Sequence, residues 1–187
     1  MIPCAFALLT NKTITMYRCL LSELKDGASR IKLILKPKLV MLDFEQATIN
    51  ALNFHFPGVL IKLCFFHFSQ NVFKKIVEVG LKKEYKEDDK LKLWVKTIIA
   101  LALIPTEEVL DAFVRLSEDE IVDSYDLSVF LDYITINYVD DDEALFPISF
   151  WNHWDNEEDR THNKIEGYNL KLNLYLHSHP NIWKFII

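Results

Sequence analysis

Two carboxylates and one Cys-x-x-His spacing are the features of this chain whose residue types invite chemistry. Asp43 ends the apolar run Lys38-Leu39-Val40-Met41-Leu42 and is followed by Phe44-Glu45. A carboxylate closing a buried strand lies at the carboxyl edge of a sheet, where open α/β folds hold their ligands. Aspartate is equally a strong N-cap, and the local sequence favours that role for the helix expected next. Glu166 stands three residues after Asn163, the spacing of a capping box. On a helix it shares a face with Asn169 and Asn173, a polar surface suited to a hard cation. Cys64-Phe65-Phe66-His67 brings a thiol and an imidazole to a strand-to-helix junction. Zinc sites use at least three protein ligands, and His177 and His179 are distant and poorly spaced. A buried thiol beside a helix-start histidine is therefore the favoured reading of Cys64 and His67. No serine or cysteine nucleophile motif is present, and four glycines in 187 residues leave no glycine-rich phosphate loop.

The elements that must position these groups are legible from hydrophobic period. Ala5 to Leu9 is a short apolar run closed by Thr10-Asn11-Lys12, a strand and turn. Tyr17, Leu20, Leu21 and Leu24 recur at helical spacing up to the breaker Asp26-Gly27. Lys38 to Asp43 is a strand, Ala47 to Phe54 a helix stopped at Pro57-Gly58, and Val59 to Phe65 a second strand. Phe68, Val72, Ile76 and Val79 mark a helix ending near Gly80. Alternation of strand and helix predicts an α/β sheet with parallel pairs. From Leu91 to Tyr138 only helical periodicity remains. Thr106 with Glu107 and Glu108 is expected to cap a helix striped by Val109, Leu110, Phe113 and Leu116. Leu127, Phe130, Leu131, Ile134 and Tyr138 form a further stripe, and Asp140 to Glu143 end it in a charged loop. Phe146 to Trp154 is an aromatic connection, and a last helix is predicted from Asn163 to about His177. The expected organisation is a single domain: an α/β core part over 1–80, an all-helical insertion over 81–150, and a closing core-helix segment over 151–187.

Composition narrows the classes. Half the residues are apolar and 13% aromatic, enough to build a core and too much for a disordered chain. The longest apolar run, Ile98 to Ile104, is far below the ~20 residues that span a bilayer. The opening residues lack a basic region and a long apolar stretch, so they make a poor signal peptide. Three cysteines supply no disulfide framework. A soluble intracellular protein without a membrane partner is expected. The net charge of −6 is unevenly spread: residues 1–106 hold 16 basic and 9 acidic groups, whereas residues 107–159 hold 1 basic and 17 acidic. A phosphate-rich partner would be confined to one face, and solvated helix faces are the plainer explanation.

The ordered motifs resemble the transposase domain of Mutator-like elements (MULE), a eukaryotic family with an RNase H-like catalytic core. The likeness runs through Pro3 to Thr13 with Tyr17, then Asp43-Phe44-Glu45 with Ala47, Ala51, Phe56 and Pro57. It continues in Cys64-x-x-His67 with Gln70 and Asn71, and in Trp151-Asn152, Arg160 to Asn163, Ile165 to Asn169 and His179 to Trp183. The resemblance implies an Asp-Asp-Glu enzyme that uses two divalent ions, Mg²⁺ or Mn²⁺, to cleave and join DNA strands. By that likeness Asp43 matches the second aspartate and Glu166 the final glutamate, both as metal ligands, while Cys64 and His67 form a family motif of unassigned role. The family's first aspartate, on the opening strand, has no counterpart in this sequence. The expectation is thus a partial RNase H-like fold, a transposase-derived fragment inactive alone, with weak or absent metal binding. DNA at transposon ends, a nuclear location and a possible homo-oligomer are implied in the same way. The lysines at 74, 75, 82, 83, 86, 90, 92 and 96 would border the DNA path. The alternative is a domesticated, non-enzymatic remnant acting through protein contacts or DNA binding.

Overall fold

The computed structural model describes residues 5–140 and 143–156, together with Gly167. Apart from Gly167, the predicted closing helix, and with it Glu166, lies outside the described residues. Element order is α1 (Ile14–Arg30), β1 (Leu39–Leu42), α2 (Gln46–His55), β2 (Leu60–Leu63), α3 (Phe65–Glu78), α4 (Glu84–Glu87), α5 (Asp89–Ala100), α6 (Val109–Ser117), α7 (Glu120–Tyr125), α8 (Ser128–Ile134) and α9 (Ile148–Trp151). The protein is mixed α/β and mostly helical. β1 and β2 pair in parallel, with Leu39 opposite Leu60 and Leu42 opposite Leu63, and α2 makes the crossover. They form the only sheet among the described residues.

Three local expectations are corrected. Residues 5–9 form no regular element and join no ladder among the described residues, and Phe6 and Leu8 lie more than half exposed. An apolar run becomes a strand only where a sheet edge accepts its backbone groups, and none does so here. The first helix also does not stop at Asp26-Gly27. It continues to Arg30, where Lys32 takes the left-handed φ of 59° and the amide of Leu33 donates to the carbonyl of Ala28. That six-residue closure is the Schellman ending, here with lysine where glycine is usual. Nor is Thr106 a side-chain cap: Thr106–Glu108 form one 3₁₀ turn leading into α6, and the Thr106 hydroxyl turns to the Glu107 carboxylate at 3.2 Å.

The remaining elements follow their periodicity. Phe68, Val72 and Ile76 bury one stripe of α3, which ends at Gly80 with φ of 87°. A side chain at Gly80 would be strained by that φ alone. Leu91, Trp94, Val95 and Ile98 bury the matching stripe of α5. Its first turn is capped by Asp88, which accepts from the Lys90 amide at 2.7 Å. After α8 the chain widens into one π turn, Thr135–Val139, which buries both Tyr138 and Val139.

One continuous core joins all these segments. Val40, Leu42, Ile61 and Leu63 project from one face of the strand pair, because alternate residues share a face. Its aromatic centre is Phe68, stacked on Trp151 at 4.8 Å and edge-on to Tyr138 at 5.1 Å. Phe44, next to Asp43, completes the cluster at 5.0 Å from Phe146 and 5.8 Å from Tyr138. Offset and edge-on pairs of this kind add to the stabilisation from area alone.

Tyr138 carries a pH dependence. Burial, and then the hydrogen bond with Tyr133 at 3.1 Å, push its phenol well above the ordinary value of 10.0. An unfolded phenol ionises at its ordinary pKa while the folded one stays protonated. Stability is therefore complete below about pH 10 and falls as the pH rises beyond it. Urea titrations at a series of alkaline pH values should show that fall, and Tyr138→Phe should make it shallower.

Candidate active site

The register of the sheet places the predicted residues. Leu42 and Leu63 are partners, so Asp43 and Cys64 leave the two strands side by side, and the Cys64 amide donates to the Leu42 carbonyl at 2.8 Å. Cys64 is fully buried and immediately precedes α3. His67, in the first turn of α3, reaches across to β1, where its Nδ1 lies 2.9 Å from Oδ1 of Asp43. The Cys-x-x-His spacing thus has a physical role: the thiol fills the interior at the strand end, and the imidazole, one helical turn on, holds the carboxylate. No grouping of three or more His, Cys, Asp or Glu side chains able to hold a metal occurs among the described residues.

Asp43 is not the helix cap that local sequence favours. The Glu45 amide donates to the Asp43 carbonyl at 2.8 Å, and α2 begins two residues later than a cap at Asp43 would require. The carboxylate instead stands at the mouth of an open cavity of about 240 Å³, lined by Met41, Leu42, Asp43, Glu45 and Thr48. Its backbone is fixed on one side by the β ladder and on the other by the packed ring of Phe44. The N-termini of α2 and α3 both begin at this edge, a setting that favours negative charge.

Glu45 is engaged elsewhere. Its carboxylate accepts from the Tyr17 hydroxyl at 2.9 Å and lies 3.6 Å from the Lys12 ammonium. The Tyr17 phenol is raised above its ordinary value, first by burial and further by Glu45. This contact ties α1 to the start of α2, and a motif-centred reading of Asp43-Phe44-Glu45 does not anticipate it.

Sequence reasoning also missed the strap that backs the site. Residues 148–156 run against β2. Lys62 donates to the carbonyls of Ser149 at 2.9 Å and Asn152 at 2.7 Å, at the end of α9. Burial lowers the Lys62 pKa, and Asp155 opposes the shift. Asn152 is buried and donates to the carbonyls of Leu101 and Ile104, while its own oxygen accepts from the Trp154 amide. His153 is fully buried, with Nε2 2.8 Å from the Leu63 carbonyl and Nδ1 3.2 Å from the Asn156 amide nitrogen. A carbonyl only accepts, so Nε2 carries the proton and Nδ1 accepts from Asn156. The signal in the sequence was Trp151-Asn152-His153-Trp154, two polar residues enclosed by tryptophans.

The donors described at this edge do not make a metal site by themselves: they are one carboxylate held by His67 and a second held by Tyr17 and Lys12. What they make is a close carboxylate–imidazole contact at the carboxyl end of parallel strands, with a carboxylate able to hold one face of a cation. No curated protein and no solved structure matches the chain. The stretch that builds this edge does have a counterpart: residues 1–71, with Asp43, Cys64 and His67 among them, match the family model of the MULE transposase domain.

Proposed function

We propose that the chain is the transposase-type core of a DNA strand-cleavage and transfer site, in which Asp43 and Glu166 are the carboxylates that hold Mg²⁺ or Mn²⁺. The observation that carries this reading is the position of Asp43. It lies within the MULE match, at the carboxyl end of β1, and is held by the histidine of the Cys-x-x-His motif. Two further features support it. The described chain reaches Asn156 beside the carboxyl end of β2, through His153 and Leu63. The ten residues from there to Glu166 can span at most about 35 Å, enough to return a carboxylate to Asp43. The outer edge of β1 is also suited to a larger, RNase H-like sheet. The carbonyls of Lys38 and Leu42 face β2, so those of Leu39 and Met41 turn outward. A further strand, or the edge of a second copy of the chain, would pair there.

Bound divalent ions would supply charge stabilisation for attack on a phosphodiester. DNA itself would follow the lysines between Lys74 and Lys96, most of them exposed. Of these, Lys75, Lys83 and Lys92 lie within 4 Å of Glu78, Glu87 and Asp89, whose charges offset theirs. A nuclear site of action follows from this reading. With two carboxylates in place of three, these 187 residues should bind the metal in the millimolar range or weaker and leave DNA uncut.

The test is a Mn²⁺ titration followed by electron paramagnetic resonance, alongside DNA cleavage in Mg²⁺ and Mn²⁺. Asp43→Asn and Glu166→Gln should each weaken the strongest Mn²⁺ site about 10-fold or more, one tenfold step being ~1.4 kcal/mol. Two variants that bind as the parent does would sink the metal assignment. Metal-dependent cleavage by the parent, lost in Asp43→Asn, would overturn the inactivity instead. A second reading, action through protein contacts, is favoured by a groove between α5 and the acidic segment that carries α6 and α7.

A further inference from the structure

Two cavities lie end to end along α5. The first, about 680 Å³, opens between α5 and α7 over Leu93, Trp94, Leu116 and Ile121. The second, about 410 Å³, continues toward Ile104 between α5 and α6 and is mostly apolar, with Ala100, Leu101 and Ala112 in its lining. They share Thr97, Leu116 and Asp119, and so form one groove along the helix. A twelve-residue helix is ~18 Å long, so the groove accommodates about three turns of a second helix.

Its walls are tied rather than loosely apposed. The Tyr125 hydroxyl donates to Asp88 at 2.5 Å, joining the end of α7 to the start of α5. The Trp94 indole donates to the Leu116 carbonyl at 3.1 Å, joining α5 to α6. Leu93 is in the lining and is 66% exposed, a large apolar side chain left in water at a built groove.

The rim is anionic. Asp88, Asp119 and Glu120 line it, and the Tyr125 hydrogen bond, followed by the Lys90 amide, holds the Asp88 carboxyl below its ordinary range. Lys90 and Arg115 are the cations in the two linings. The segment that contributes α6 and α7, residues 107–159, has 17 acidic side chains against one basic. The acidic α6–α7 wall favours a cationic partner, and an apolar helix without charge gains nothing from it.

We infer that this groove docks a basic amphipathic helix of a partner protein, with an apolar stripe at i, i+3, i+4 and i+7 against Leu93 and Leu116, and lysine or arginine flanks against Asp119 and Glu120. This is recognition of a helix in a groove, with the charges setting orientation and partner choice. It does not depend on the metal-holding reading of Asp43 and Glu166.

The probe is a fluorescein-labelled 18-residue Leu/Lys helix, followed by fluorescence anisotropy with the full chain, against a scrambled peptide of identical composition that has no stripe. The ordered peptide should bind at least tenfold more tightly than the scrambled one, and more weakly as salt rises. Leu93→Arg, at an exposed position, and Glu120→Lys should each weaken it about tenfold or more, a step of ~1.4 kcal/mol, with circular dichroism unchanged. Equal binding of the two peptides reduces the site to unspecific charge attraction and overturns the inference. So does a Leu93→Arg variant that binds like the parent. Tighter binding to a full-length Leu172→Asp/Leu176→Asp variant would mean that the chain's own closing segment fills the groove, which overturns a partner in trans.

Discussion

Replacing Trp151 with alanine is expected to destabilise the protein by about 3–5 kcal/mol, the range for removing a buried aromatic from a packed core. Trp151 is 1% exposed and stacked on Phe68, and its indole donates to the Tyr138 carbonyl at 3.0 Å. Removing it deletes ring contacts, leaves the carbonyl of a buried tyrosine without that donor, and opens a cavity beneath α3. Urea unfolding followed by circular dichroism measures the effect directly. Trp151→Phe, which keeps a ring but no donor, should retain a good part of the loss. A cost below about 1 kcal/mol for Trp151→Ala would mean that the strap at 148–156 is peripheral to the core, since surface changes fall in that range.

The second large effect is expected at Asn152. Its amide serves the carbonyls of Leu101 and Ile104, where α5 runs out into a 3₁₀ turn, and its oxygen serves Trp154. Asn152→Ala strips three backbone groups of a partner at once, the buried Leu101 carbonyl and the partly buried Ile104 carbonyl and Trp154 amide. Each unsatisfied group costs about 1–3 kcal/mol, less where water enters, so a total of about 2–4 kcal/mol is expected. Asn152→Asp should be at least as damaging, because a carboxylate cannot donate to two carbonyls and brings a charge into a buried place. The same urea measurement decides it. Amide hydrogen exchange at His153, whose amide donates to the Ala102 carbonyl at 2.7 Å, should accelerate in both variants if the strap opens locally.

These two residues show why the support of the site was harder to read than the site. Asp43, Cys64 and His67 announce themselves by residue type at the ends of apolar runs, and the parallel register brings them together as the strand–helix alternation implies. The match of residues 1–71 to the MULE transposase domain covers that region. The partner of His67 was not legible, because an imidazole one turn into a helix has several directions open to it. Asn152 and His153 look like ordinary polar residues in a loop, and only their burial against Leu63, Leu101 and Ile104 makes them structural.

The helical middle divides in the same way. Leu91, Trp94, Val95 and Ile98 mark their buried stripe through the 3.6-residue period alone. The π turn after α8 has no such signature, since the period of the stripe through Ile134 and Tyr138 continues smoothly across it.

Local pattern alone was enough for the helical character of α1, α2, α3, α5, α6 and α8, for the two paired strands and their parallel sense, and for the three residues at their carboxyl edge, because periodicity and strand ends are properties of neighbouring residues. It also predicts a strand at residues 5–9 that joins no ladder. Packing settles the rest: residues 5–9 pair with no strand among the described residues, Asp43 meets His67 rather than capping α2, and a buried Asn-His pair straps the chain to β2. Each of those outcomes depends on which distant backbone groups come within hydrogen-bonding reach, and that is a matter of packing rather than of local pattern.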